Sequence, residues 1–281
     1  MSTAPKSPTI VLIHGMWMTP LSWEKVVGHY QRRGHTVLAP AWPGLHAGEE
    51  ALRRDPSPLA GLGLTEVVDH YERLIRDFDH QPILIGHSFG GLIVQLLLDR
   101  GLGAAGVAID PAMPKGVLRT PLSTLRSCWP VLSNPANWRR AVSLTLAQFS
   151  YAFANTLSPQ QARAVYDRYA IPGSGRMLFQ GALANLTPRA ATTVDFRNGD
   201  RAPLLLLAGG KDHIIPPGVV KATARKYRRS LARTDFHLFP GMSHLLIAED
   251  GWQQVADHAL DWALHAHTHP TDPAPHLRSR S

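Results

Sequence analysis

The 281-residue chain contains a single cysteine, Cys128. That excludes an internal disulfide framework and a cysteine-ligated metal site. The lone thiol reads as a buried, inert side chain. Long hydrophobic runs are missing too, since none approaches the roughly 20 residues that a membrane span requires. The residues from Met1 to Pro8 run straight toward a strand, without the basic segment and apolar stretch of a secretory leader. A soluble cytoplasmic protein with no membrane span is the expectation. Hydrophobic residues at 44% and charged residues at 18% suit a globular fold. The length permits a sizeable core and sits at the upper end of single-domain size.

Negative charge is also short. Against 29 Lys and Arg stand 21 Asp and Glu, a formal net charge of +8. Such an excess invites a nucleic-acid partner. The densest basic run is Lys221, Arg225, Lys226, Arg228, Arg229 and Arg233, with Tyr227 among them. Lys221, Arg225 and Arg229 recur at helical spacing, so a solvated helix face accounts for them. No zinc-finger, RNA-recognition or groove-reading signature accompanies the charge. No nucleic-acid partner is expected, and the excess is assigned to solubility or to attraction of anionic substrates.

What the chain does have is alternation. Short apolar runs at 9–13, 36–40, 82–85, 106–109, 202–208 and 235–239 alternate with amphipathic stretches. Helices are predicted near 22–33, capped by Ser22 and stopped by Gly34, and near 65–78, where Val68, Tyr71 and Ile75 share a face. Others follow at 91–98 and 252–265, and a helical turn falls within 47–54. The pattern predicts an α/β fold with a doubly wound, mostly parallel sheet.

Between Met113 and Arg201 the alternation stops. Several helical stretches follow without a strand, one opening at Ser158-Pro159, a capping serine with proline in the first turn. An all-helical insertion in an open sheet lies above the carboxyl ends of the strands. The expected organisation is a core of residues 1–112 and 202–265, a helical cap of residues 113–201, and a disordered tail of residues 266–281. The tail is polar and proline-rich, and His267, His269 and His276 in it are read as solvated rather than metal-binding.

Gly86-His87-Ser88-Phe89-Gly90 stands where the apolar run 82–85 gives way to a helical run. Gly-x-Ser-x-Gly in that context is a nucleophile elbow. The turn is so tight that side chains two positions either side of the serine would clash, and glycines remove the clash.

A serine hydroxyl is a poor nucleophile near neutral pH. It needs a histidine to take its proton and a carboxylate to orient that histidine. In a doubly wound sheet such groups come from loops at the carboxyl ends of strands. His244 follows the last strand and fits best. His14 and His87 also end strands, His14 packing beneath the site and His87 pointing elsewhere along the elbow. Two aspartates compete as the acid. Asp212, two residues after Gly209-Gly210, is preferred. Asp110 ends the strand after the elbow helix and is the alternative acid, its other role being to cap the entrance to the insertion. Two backbone N–H groups should hold an oxyanion, those of Met16 and Phe89.

The order Ser88, Asp212, His244, with His14-Gly15 ahead of them, resembles the α/β-hydrolase superfamily over nearly all the chain except the tail. The resemblance implies a serine-hydrolase fold with no cofactor and no metal, acting on a small molecule. Two departures stand out. Only eight residues precede Thr9, where members of the family often carry an antiparallel strand pair. Ala41-Trp42-Pro43-Gly44 stands where Asp-x-Pro-Gly is usual. A serine at the elbow argues against epoxide hydrolases and haloalkane dehalogenases, which use aspartate. The opening 13–17 and Ser22-Trp23 are similar to a branch of plant-type methyl esterases and hydroxynitrile lyases. The lyases carry threonine at Gly15 and lysine at Leu245, so ester hydrolysis is favoured.

Trp129, Trp138, Phe149, Tyr151, Phe153 and Phe179 make the insertion aromatic. Most are expected to pack it onto the core, and any that line the pocket would select apolar or aromatic groups. The expected function is a serine hydrolase of small to medium apolar or aromatic carboxylic esters, working through an acyl-enzyme. A lactonase, thioesterase, perhydrolase or C–C hydrolase could use the same parts, as could a hydrolase-like receptor with little turnover. Oligomeric state is left open.

Overall fold

The computed structural model describes residues 8–45 and 48–270. Its strands in chain order are β1 (Ile10–Ile13), β2 (Val37–Leu38), β3 (Ile83–His87), β4 (Ala105–Ile109), β5 (Ala141–Val142), β6 (Gly173–Ser174), β7 (Leu204–Gly209) and β8 (Thr234–Phe239). The α-helices are α1 (Glu24–Arg32), α2 (Glu49–Arg54), α3 (Leu64–Arg76), α4 (Phe89–Asp99), α5 (Leu122–Leu132), α6 (Leu146–Ala152), α7 (Pro159–Tyr169), α8 (Gly175–Ala182), α9 (Pro217–Tyr227) and α10 (Trp252–Thr268).

Six strands form one sheet in the order β2-β1-β3-β4-β7-β8, and every neighbouring pair is parallel. β1, β3, β4 and β7 are buried along their whole length. Burial on both faces is why their sequences are continuously apolar rather than alternating. The chain moves from β1 to β2 on one side and to β3 on the other. The crevice above β1 and β3 is therefore a topological switch point, where open sheets of this kind bind ligands. α4 is buried from Phe89 to Leu98, which makes it the central helix of the core. α3 buries Val68, Tyr71 and Ile75 as its spacing predicts.

Several boundaries differ from the sequence reading. The strand expected at 36–40 shrinks to β2, which lies at the sheet edge and has one neighbour to hold it; Pro40 can donate to no ladder. Ser22 does not cap α1. Thr19 Oγ1 accepts the Leu21 amide at 3.2 Å and starts a 3-10 turn over Pro20–Trp23, so α1 begins at Glu24. Gly34, at φ 85°, does end that helix. Within 113–201 loops join regular elements that are helices except for β5 and β6, a two-residue antiparallel pair. Glycine at 175 permits it, because a Cβ there would stand 1.9 Å from the Asn137 carbonyl oxygen. Ser158 caps α7 in a capping box with Gln161. α10 runs to Thr268 and buries Ala266, so the expected tail starts too early, and its residues 271–281 lie outside the described residues. Among the described residues no helix is long and apolar enough to cross a membrane.

Candidate active site

The carboxyl ends of β1, β3, β4, β7 and β8 deliver Met16, Ser88, Asp110, Asp212 and His244 to one place. β3 ends at His87 and α4 starts at Phe89, so Ser88 alone makes the turn, at φ 56° and ψ −120°. A positive φ costs a non-glycine residue of order 1–3 kcal/mol, which the surroundings must impose. They do so through tight backbone contacts. A Cβ on Gly86 would stand 2.1 Å from the Gly90 carbonyl oxygen, and one on Gly90 would stand 2.0 Å from that of Ile13. The Ser88 amide donates to Ile109 at 2.9 Å, and its carbonyl accepts from Gly91, Leu92 and Ala112.

The Phe89 amide is the first of α4 and lies at the positive end of the helix dipole. Met16 follows β1 in a turn that Gly15 lets close onto the serine; a Cβ on Gly15 would meet Ser88 Cβ at 2.8 Å. Neither amide donates to a carbonyl among the described residues.

Asp212 is fixed by three donors. Its Oδ1 accepts from the amides of Ile214 (2.6 Å) and Ile215 (2.9 Å), and its Oδ2 accepts from His244 Nδ1 at 2.6 Å. The aspartate and histidine are both buried. With the proton on Nδ1, the lone pair of His244 sits on Nε2. That nitrogen is buried and has no partner, so the bond to Ser88 is not formed in this structure. Hydrogen bonds of this kind are often long without substrate.

Asp110 comes close without taking over. Its Oδ1 accepts the Gly209 amide at 2.7 Å, and its Oδ2 lies 4.0 Å from His244 Nδ1. The expectation that it caps the entrance to the insertion is not met, because the carboxyl turns inward to β7. Burial, and then the adjacent Asp212 carboxylate, hold it well above the usual carboxylate range. A ring nitrogen of His244 and one oxygen each of Asp110 and Asp212 lie within 4.8 Å of one another. The 2.6 Å contact is shorter than the about 3.3 Å that separates two ligands of one tetrahedral metal ion, and a proton fills it.

The two other strand-end histidines support the site from below. His14 donates from Nδ1 to Gly15 at 2.9 Å, accepts the Trp42 amide on Nε2 at 3.4 Å and stacks on Trp42. Burial lowers its pKa to about 4. His87 does not point away. Its Nε2 donates to the His244 carbonyl at 2.7 Å, and the two rings lie 4.7 Å apart. Burial, and then the adjacent His244 ring, hold it well below the usual histidine range.

Glu249 escaped the sequence reading. It accepts the Ser243 amide (2.7 Å) and the Ser243 hydroxyl (3.0 Å), and also the Thr156 hydroxyl. It thereby ties the His244 loop to itself and to the insertion. The available signal was a carboxylate, the first of the pair Glu249-Asp250, closing the apolar run Leu245 to Ala248.

A cavity of about 140 Å³ opens beside Ser88. Phe89, Leu92, Trp17, Ile214 and Ile215 wall it, and the insertion contributes Val117, Leu125, Cys128, Leu132 and Leu178. No charged side chain lines it among the described residues. None of the six aromatic residues noted in the insertion lines it either. Phe149 and Phe153 are buried and stack with ring centres 4.8 Å apart, and the Phe153 and His244 rings meet at 70° with centres 5.0 Å apart. Trp17 is the aromatic wall that the sequence reading did not place, and its Nε1 donates to Val142 at 3.0 Å.

Residues 10–258 match the family model described as alpha/beta hydrolase family. Among curated proteins, none matches the chain. Solved structures share its fold. A monoacylglycerol lipase from Paleococcus ferrophilus superposes with a TM-score of 0.65 at 20% identity, over 93% of this chain and 96% of that one. An extracellular alpha/beta-hydrolase from a Paenibacillus species, described as sharing structural and functional homology with tobacco salicylic acid binding protein 2, gives 0.64 at 21% identity, over 92% and 99%. A methylesterase from Arabidopsis gives 0.63 at 12% identity, over 91% and 98%.

Proposed function

The chain belongs to the alpha/beta hydrolase family, and on that premise we propose that it hydrolyses carboxylic esters with Ser88 as nucleophile. The observation that carries the reading is the buried 2.6 Å bond from His244 Nδ1 to Asp212, which leaves Nε2 as a free base at the floor that also holds Ser88. In the reading, Nε2 takes the Ser88 proton as Oγ attacks the ester carbonyl. The amides of Met16 and Phe89 hold the tetrahedral oxyanion. The imidazolium returns its proton to the departing alkoxide, leaving an acyl-serine and a free alcohol. Water, deprotonated by the same nitrogen, attacks the acyl carbon. As the bond to Ser88 Oγ breaks, the imidazolium returns that proton to Oγ and the acid is released.

The uncharged cavity supports small to medium apolar acyl or alcohol groups as substrate. Residues 113–201 act as a cap in this reading, since Val117, Leu125, Cys128 and Leu132 close the cavity from above. The single cysteine supports action in a reducing compartment, the cytoplasm.

A second reading, a receptor with the same pocket and little turnover, draws on the unformed bond between Ser88 and His244. Hydrolysis of p-nitrophenyl esters from acetate to laurate, with Ser88→Ala alongside, separates the two. Turnover that vanishes in the variant supports the esterase. Absent turnover with fluorophosphonate labelling of Ser88 supports a narrow substrate, and absent labelling supports the receptor.

A further inference from the structure

α5 has two unlike faces. The inner one buries Thr124, Ser127, Cys128 and Val131. At about 100° per residue the opposite face carries Leu122, Leu125 and Trp129, with Arg126 beside them. A surface helix ordinarily turns polar side chains that way. Here Leu122 is 84% exposed and Trp129 64%. Leu118, just before the helix, is 83% exposed, and Leu186 across the way is 82%.

Each of these exposed residues is a close chain neighbour of a residue that lines the cavity: Leu118 of Val117, Leu122 of Thr120 and Thr124, Trp129 of Cys128, and Leu186 of Asn185. Thr120, Leu125 and Asn185 line the cavity and are also exposed, which places them at its mouth. The two sides of the mouth are tied together. The Gly116 amide donates to Asn185 Oδ1 at 2.7 Å, and Asn185 Nδ2 donates to the Val117 carbonyl at 3.2 Å. Single exposed leucines are common and need no explanation. A concentration does, and seven of the ten exposed large hydrophobic side chains among the described residues fall within 113–201.

Charge is concentrated in the same stretch. Residues 113–201 hold eleven Lys and Arg against three Asp, while the rest of the chain holds eighteen of each sign. The whole net charge of +8 therefore belongs to the insertion. Its ion pairs are made by Arg163, Arg168 and Arg176. Arg119 and Arg126, interleaved with the exposed leucines, form none among the described residues.

We propose that this face docks on an anionic lipid surface. Leu118, Leu122, Trp129 and Leu186 enter the acyl boundary, and Arg119 and Arg126 stay at headgroup level. The cavity mouth then opens toward the lipid, and an apolar substrate passes from it to Ser88 without crossing water. A second copy of the chain is a poor occupant, because each copy would bring the same positive excess to the contact. A folded acidic protein fits less well too. The exposed leucines are spread over the segment before α5, α5 itself and the turn after α8, which suits a fluid that conforms to them.

Flotation of the full chain with phosphatidylcholine vesicles, with and without about 30% phosphatidylglycerol, tests this at about 0.05 and 0.5 M salt. The wild type should float with the anionic vesicles at low salt. It should bind at least tenfold more weakly, roughly, to neutral vesicles or at high salt. L118S/L122S/W129S, none of whose positions lines the cavity, should lose about tenfold or more of the anionic binding. R119Q/R126Q keeps the apolar face and should fall toward the neutral-vesicle level. Thermal midpoints serve as the folding control, so the outcome does not depend on esterase activity. The proposal fails if the wild type stays unbound on anionic vesicles, or if the apolar triple variant binds as well as wild type. It also fails if sedimentation finds a dimer that the triple variant dissolves.

Discussion

Asp110 Oδ2 lies 4.0 Å from His244 Nδ1, outside hydrogen-bond reach of a nitrogen whose proton already goes to Asp212 at 2.6 Å. Buried beside the Asp212 carboxylate, Asp110 keeps its proton where an ordinary aspartate has lost it. An uncharged carboxyl can be replaced by an uncharged amide. Asp110→Asn should stay within about tenfold of wild-type kcat/KM on p-nitrophenyl acetate, whereas Asp212→Asn should lose about 10⁴-fold. The reverse ranking would transfer the acid's role to Asp110.

The same protonation makes stability depend on pH. The folded pKa of Asp110 is raised above its ordinary 3.8, so folding takes up a proton between the two values. Its contribution is complete below pH 3.8 and is lost as pH rises through the folded pKa. Asp110→Asn removes that titration. The variant should gain on wild type with rising pH, by about 1.4 kcal/mol for each unit of the raised pKa that is crossed. Urea midpoints at about pH 5 and about pH 8 measure it. An equal gap between the two proteins at both pH values would mean that Asp110 titrates like a surface aspartate.

The core was readable because burial on both sheet faces writes continuous apolar strands, and β1, β3, β4 and β7 are such strands. The strand-end positions of Ser88, Asp212 and His244 were readable because each follows an apolar run and has glycine nearby. What escaped is set by contacts distant in sequence. Glu249 matters through Ser243 and Thr156, and the second of these is 93 residues away. His87 reaches the carbonyl of a residue 157 positions later. The cavity wall also eluded the sequence, because aromatic content does not say which faces turn inward: Trp129 faces solvent and Trp17 lines the cavity.

His14 gives a pH dependence in the acid range. Both ring nitrogens are engaged in the neutral form, one as donor to Gly15 and one as acceptor from Trp42. Its pKa falls from 6.5 to about 4 on burial, so the unfolded chain binds the extra proton between those values. The stability linked to His14 is present in full above pH 6.5 and is lost as pH falls toward 4. The shift corresponds to about 3 kcal/mol. His87 is lowered in the same sense and adds to the slope. His14→Gln should flatten the fall in denaturant midpoint across this range without removing it. A slope as steep as wild type would show that His14 titrates normally in the fold.

Two glycines should respond oppositely to alanine. On Gly90 a Cβ would stand 2.0 Å from the Ile13 carbonyl oxygen, a backbone atom of the central sheet that cannot yield. Gly90→Ala should therefore abolish activity and cost more than about 3 kcal/mol, the scale of the largest single-residue losses. Gly28 lies inside α1, where a Cβ would meet only the mobile end of Arg32 at 3.3 Å. Gly28→Ala should raise stability by about 0.5–1 kcal/mol through helix propensity alone. Chemical denaturation of both variants checks the pair, and loss of stability at position 28 would break the argument.

Cys128 contributes room rather than chemistry. Burial pushes its thiol up to about 12, which leaves it protonated and unreactive at neutral pH, and it faces the cavity together with Leu125 and Leu132. Cys128→Phe would place a ring in a space of about 140 Å³. If the acyl group of an ester occupies that space, long chains lose their seat before short ones do. The ratio of kcat/KM for p-nitrophenyl hexanoate over acetate should then fall by about tenfold or more, since each buried methylene is worth about 0.8 kcal/mol. The loss should appear mainly in KM, because the ring displaces binding and leaves Ser88, His244 and the two amides in place. A ratio that stays at its wild-type value would place the acyl chain on the other side of Ser88 and leave this cavity to the alcohol.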